Sequence, residues 1–151
     1  MPNLTHIFFP SVVALVLQLP GSGMASQSSD ATTDWQEWSP QIFQQAQDDN
    51  HLVLLDVTAE WCVFCKKMDE TTYRDPDVIR IINEHFIPVR VADETHPDLA
   101  RKYAKYGRPV TVIMTADGTE IIAKPGYLKP QWMVWFLQAI AMEQNQAALR
   151  N

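Results

Sequence analysis

Cys62 and Cys65 stand three apart where an apolar run gives way to a segment that can be helical, and they are the only cysteines in the chain. The run His51-Leu52-Val53-Leu54-Leu55-Asp56-Val57 reads as a buried strand, and residues 66–72 can continue as a helix. A helix start exposes unpaired N–H groups and the positive end of the helix dipole, both of which favour a thiolate at the first cysteine. One helical turn then brings the second sulfur within disulfide range. A strand handing two thiols to a helix N-terminus points to redox chemistry.

The 151 residues fit one domain with a terminal extension, and a hydrophobic content of 46% can fill one core. A net charge of −6 argues against a nucleic-acid partner, which would call for a basic face. Residues 1–25 hold no Lys, Arg, Asp or Glu, and residues 7–19 form an apolar run of signal-peptide length. Pro20-Gly21-Ser22-Gly23 breaks the run, and Gly23-Met24-Ala25 supplies a small-x-small cleavage site. The n-region lacks the usual Lys or Arg, so an uncleaved anchor is the competing reading. The expected organisation is a signal peptide over 1–25, a linker over 26–33 and one domain over 34–148. In an exported chain a lone cysteine pair would usually be structural. A bridge closing so short a loop gains little from chain entropy, however, which favours an active dithiol.

Ser39-Pro40 predicts a helix start with Ile42, Phe43 and Ala46 on its apolar face, ended by Asp48-Asp49-Asn50. Asp75-Pro76 predicts another, and residues 87–91 read as a second strand with Pro88 near its start. A helix over 97–106 is stopped by Gly107, and residues 110–114 form a third strand. Ala116-Asp117-Gly118 is a hairpin turn into a fourth strand over 119–123. A closing helix over 131–148 places Met133, Phe136, Leu137 and Ile140 inward. This order predicts an α/β fold, a mixed sheet of four to five strands with helices on both faces.

Leu55-Asp56-Val57-Thr58-Ala59-Glu60-Trp61-Cys62-Val63-Phe64-Cys65-Lys66 resembles the thioredoxin family's strand, buried Asp and Cys-x-x-Cys-Lys. Gly107-Arg108-Pro109 is similar to its Gly-x-cis-Pro, Asp117-Gly118 to its hairpin, and Lys124-x-Gly126 to its glycine before the last helix. Within that superfamily, Trp61-Cys62-Val63 with Thr72-Tyr73-x-Asp75-Pro76-x-Val78 looks most like the C-terminal periplasmic domain of the DsbD electron carriers. The resemblance implies a thioredoxin fold and covers about residues 35–140. The chain departs from thioredoxin at Val63-Phe64, at Val110 and at Arg108, which bears on substrate and potential rather than on reaction class.

The resemblance implies Cys62 as nucleophile, Cys65 as resolving thiol and Asp56 as a buried base for the Cys65 proton. Alternation alone would also allow Asp56 to be a strand-end carboxylate turned to solvent. Pro109 is expected to be cis and, with Trp61 and Arg108, to contact substrate; a solvated loop position for Arg108 competes. Trp61 reads as an apolar lid over the dithiol, and Phe64 as either lid or partner contact. Trp132 and Trp135 read as packing on Trp35 or Trp38, with a docking surface as the alternative. A zinc site would need two more ligands beside the cysteines, and His51, His85 and His96 lack ligand spacing, so no metal or other cofactor is expected.

The function these residues imply is an exported thiol–disulfide oxidoreductase, mainly a reductase of protein disulfides. Its expected partners are protein disulfides or dithiols and a membrane electron donor of the DsbD type. A disulfide oxidase or isomerase, or a redox-inert binding module, are the alternatives.

Overall fold

The computed structural model describes residues 32–150. The apolar run and cleavage site expected in residues 1–25 lie outside them, as does most of the linker. Five strands form one mixed sheet in the order β1-β3-β2-β4-β5. Strand β2 (Leu52–Thr58) is central, parallel to β3 (Phe86–Ala92) and antiparallel to β4 (Val110–Met114). Strand β5 (Glu120–Pro125) closes the hairpin with β4. The fifth strand, β1 (Gln36–Glu37), falls within the four to five strands expected but lies where the sequence pattern marks no strand. Two residues with no apolar alternation carry no strand signal, and β1 exists only by pairing with Val89 and Arg90. That pairing leaves β3 close to an edge over most of its length, the setting in which Pro88 is tolerated in a strand.

Alternation along β2 divides the core. Val53, Leu55 and Val57 face α1 (Gln41–Asp48) and α4 (Pro97–Lys102), packing with Ile42, Ala46, Ala100 and Tyr103. Leu54 faces the opposite layer, where Met68, Val78, Ile81, Ile82, Met133 and Leu137 pack around Phe86 and Ile113. That layer is built by α2 (Val63–Thr71), α3 (Pro76–His85) and α5 (Pro130–Ala148). Among the described residues no helix is long and apolar enough to cross a membrane.

The two cap-plus-proline signals end differently. Asp75 caps α3, its carboxylate accepting from the N–H groups of Asp77 and Val78 at 3.0 and 3.2 Å. Ser39 does not cap α1: Pro40 occupies the cap position, no side chain closes it, and the Ser39 carbonyl accepts from Ile42 N–H instead. The helix expected over 97–106 is α4 followed by a separate 3-10 turn, Ala104–Tyr106. In the β4–β5 hairpin Gly118 has φ +85°, and a Cβ there would meet the Phe43 ring at 3.3 Å. Both the backbone and the packing therefore require glycine at that turn.

Candidate active site

The end of β2 and the start of β4 meet at one end of the sheet. Val57 pairs with Val110, so Pro109 lies one residue beyond the ladder, beside the loop that runs from Thr58 to Cys62. The Arg108–Pro109 peptide bond is cis, as the Gly-x-Pro context implied. Gly107 reaches it with φ +72° and ψ −153°, a region that side chains exclude. Pro109 is buried, and its carbonyl accepts from Gly126 N–H at 2.8 Å, tying the two loops at this end together.

Cys62 occupies the N-cap of α2 and is joined to Cys65 in a disulfide with Cα atoms 5.3 Å apart. The backbone N–H of Cys65 points at Cys62 Sγ from 3.1 Å. When the bridge is reduced, that donor and the helix terminus stabilise negative charge on Cys62. Cys62 and Cys65 are 2% and 5% exposed, so in the disulfide the first cysteine is no more open than the second. The side chains around them are open: Trp61 is 66% exposed, Val63 75% and Phe64 56%. Trp61 therefore stands in solvent at the rim and is not a packed lid. Phe64 stacks on Tyr127, ring centres 6.4 Å apart, and Lys67 lies 5.0 Å from the centre of the same tyrosine ring.

Asp56 faces the α2–α3 layer, and it is 3% exposed. The solvent-facing alternative is excluded. Strand register sets it in a polar row crossing the sheet at one level, Glu37, Arg90, Asp56, Thr111 and Lys124. Register partners share a face, so the row lies across the α2 side. The Arg90 guanidinium holds Asp56 Oδ2 at 3.1 Å and reaches Asp69 on α2 at 2.6 Å. Trp35 covers that guanidinium at 4.2 Å and packs edge-on to Tyr73. Burial dominates the carboxyl's acidity, with Asp69 adding to it against the pull of Arg90, and its pKa is pushed up to about 6.

Two expectations are corrected. Arg108 does not reach a substrate groove: its side chain is 5% exposed, paired with Asp93 at 2.6 Å. The same guanidinium donates to the carbonyls of Ala100, Tyr103 and Gly107, so it fastens α4 and the 3-10 turn to the end of β3. Buried carbonyls at broken helix ends attract such a donor set, and sequence does not reveal where they converge. Trp132 and Trp135 do not pack on Trp35 or Trp38: they are 60% and 58% exposed, while Trp35 packs on Tyr73 and Trp38 on Phe43.

The site also contains residues that sequence reasoning passed over: Arg90, Asp69, Tyr73, Thr111 and Tyr127. Arg90 had the same signal as Asp56, a charge inside an apolar strand. Tyr73 stands in the Thr72-Tyr73-x-Asp75-Pro76 motif, but nothing there marks it or the other three as site residues, because their place depends on cross-strand register and on how α2 lies over the sheet.

The family model Thioredox_DsbH, described as "Protein of unknown function, DUF255", matches residues 16–146. The chain belongs to this thioredoxin-like family. Curated proteins similar to this chain include spermatogenesis-associated protein 20 of Mus musculus, 32% identical over 106 residues, 65% of this chain and 13% of that protein. The thiol:disulfide interchange protein DsbD of Neisseria meningitidis serogroup B is 30% identical over 90 residues, 57% of this chain and 15% of that protein. The chain thus spans about one seventh of the length of the curated relatives it matches. The oxidised DsbD C-terminal domain of N. meningitidis superposes with TM-score 0.52 at 26% identity, covering 64% of this chain and 88% of that one. A thioredoxin from Thermus thermophilus superposes with TM-score 0.63 at 23% identity, covering 73% and 87%. The fold of this Thioredox_DsbH member is the thioredoxin fold, and its DsbD-like relatives point to disulfide redox chemistry at Cys62–Cys65.

Proposed function

We propose that this protein is an exported thiol–disulfide oxidoreductase that mainly reduces protein disulfides, recharged by a membrane dithiol donor of the DsbD type. The observation that carries the reading is the Cys62–Cys65 disulfide at the start of α2, on the sheet face that buries Asp56. In the reduced protein the Cys62 thiolate attacks one sulfur of a substrate disulfide. A mixed disulfide forms and the other substrate sulfur leaves as thiolate. Asp56 takes the Cys65 proton, and the resulting thiolate attacks Cys62 Sγ. The second substrate sulfur departs, so two electrons have passed from dithiol to substrate and the Cys62–Cys65 bridge is restored. A donor dithiol must then reduce that bridge by the same exchange.

The reductase direction is supported by the dipeptide between the cysteines. Val63 and Phe64 bring no cation to Cys62, so its thiolate depends on the helix terminus and the Cys65 N–H. The apolar rim of Trp61, Val63 and Phe64 suits an unfolded or extended protein segment. Export is supported by the composition of residues 1–25. Prereduced protein mixed with a disulfide-bonded test protein should lose two thiols for each substrate disulfide opened. No thiol consumption over hours at neutral pH would remove the oxidoreductase reading.

A further inference from the structure

Three side-chain oxygens at the centre of the polar row are buried without a hydrogen-bond partner: Asp56 Oδ1, Tyr73 Oη and Thr111 Oγ1. They are neighbours. Asp56 and Thr111 are register partners on β2 and β4, and Tyr73, from the 3-10 turn Thr72–Arg74 after α2, sits beside both. Their residues are 3%, 0% and 5% exposed, in the order Asp56, Thr111, Tyr73. Unpaired oxygens so deep are costly unless they find one another or a shared partner. Arg90 occupies Oδ2 of Asp56, which leaves Oδ1 as the oxygen open to change.

We propose that Tyr73 and Thr111 are positioning residues for Asp56, forming a two-hydroxyl relay on Oδ1 that serves the carboxyl in both of its protonation states. The chemistry follows from what a hydroxyl can do. It donates and accepts, whereas Arg90 only donates. With Asp56 ionised, Tyr73 O–H donates to Oδ1 and Thr111 O–H donates to Tyr73 Oη. With a proton on Oδ1, the chain reverses: Asp56 donates to Tyr73 Oη, and Tyr73 donates to Thr111 Oγ1. No bond to Arg90 has to break, so the proton taken from Cys65 has a defined place at Oδ1. The charged groups facing Asp56 are Arg90 from β3 and Asp69 from α2, with Tyr73 its titratable neighbour and the dithiol on the same helix. Glu37 and Lys124 end the row on the outer strands.

This inference rests on the reading of Asp56 as the proton acceptor, and the test separates the two. The Asp56 carboxyl carbon is titrated by NMR in the disulfide form, where no thiol ionises, for the parent, Tyr73→Phe, Thr111→Val and Thr111→Ser. Tyr73→Phe keeps the ring that packs on Trp35, and Thr111→Val keeps the side-chain shape. Losing a donor to the carboxylate should raise the Asp56 midpoint by about one pH unit in Tyr73→Phe, the scale of one hydrogen bond to a charged group. Thr111→Val should raise it by less, and Thr111→Ser should restore it. Midpoints within about 0.2 unit of the parent, or lowered, in both Tyr73→Phe and Thr111→Val overturn the relay. The pH dependence of disulfide reduction is measured alongside. If the midpoint rises while Asp56→Asn leaves the rate profile unchanged, the relay stands and the proton-acceptor reading falls.

Discussion

Asp56 is held between two opposed demands: burial favours its neutral form, and Arg90 favours its charged form. Burial prevails, leaving the midpoint near 6 against 3.8 for an exposed carboxyl. The folded protein therefore holds this proton across a window in which the unfolded chain has released it. Unfolding sheds a proton between about pH 4 and 6, so this group makes stability fall as pH rises through that window and level off above it. The full difference is on the order of 3 kcal/mol. Asp56→Asn should lack this component, and the gap between parent and variant in denaturant melts should widen in the variant's favour from pH 4 to pH 7. A constant gap would place the Asp56 midpoint near its ordinary value. The same substitution should slow turnover near neutral pH by about 10- to 100-fold if Asp56 accepts the Cys65 proton. At the cysteines themselves, Cys62→Ser should abolish reduction and Cys65→Ser should accumulate mixed disulfides visible by mass spectrometry. In the reduced parent, iodoacetamide should modify Cys62 first; faster modification of Cys65 would reverse the assigned roles.

Helix ends and the loops between strands decide how these residues are presented. Asp75 satisfies two N–H groups of α3 while Pro76 pre-sets the first turn, so Asp75→Ala should cost about 1 kcal/mol in denaturant melts. Arg108 works where β4 begins, beside the end of β2, and there one guanidinium ties Asp93 to three carbonyls of the segment entering β4. Arg108→Ala should destabilise the fold by roughly 2–3 kcal/mol, since it removes the buried charged donor that Asp93 and these carbonyls share. The ranking of acidic against basic substrate peptides should stay the same, as the side chain does not reach the surface they would touch. A reversal of that ranking would return Arg108 to the groove.

For the whole molecule, the surroundings of Cys62 set the direction of electron flow. The thiolate at Cys62 has a helix N-terminus and one backbone donor in its favour, and the neighbouring Val63 and Phe64 add no charge. Its pKa should lie nearer the thioredoxin value of about 7 than the strong-oxidant value of about 3.5. The reduction potential should accordingly be nearer about −270 mV than about −120 mV. Equilibration against glutathione, followed through the fluorescence of Trp61, measures it. A value above about −170 mV would make the protein an oxidant or isomerase.

Local chemistry determined much of this protein before any tertiary contact was considered. Alternation located the central strands, Asp75-Pro76 marked a helix start, and Cys62 and Cys65 named the redox pair, because each signal is carried by residues adjacent in the chain. The resemblance of residues 55–66 and 107–109 extended this to Asp56 and the cis Pro109. What folding alone decided was where side chains from distant segments meet. Arg108 reads as a free cation beside a proline until Ala100, Tyr103 and Asp93 are brought round it. Gln36 and Glu37 become a strand only because Val89 and Arg90 offer an open flank. Tyr73 and Thr111 are ordinary strand and turn residues until register and the placement of α2 set them beside Asp56. Each of these outcomes depends on pairings across tens of residues, and a carboxylate's acidity or a guanidinium's role is a property of that assembled surrounding rather than of its sequence neighbours.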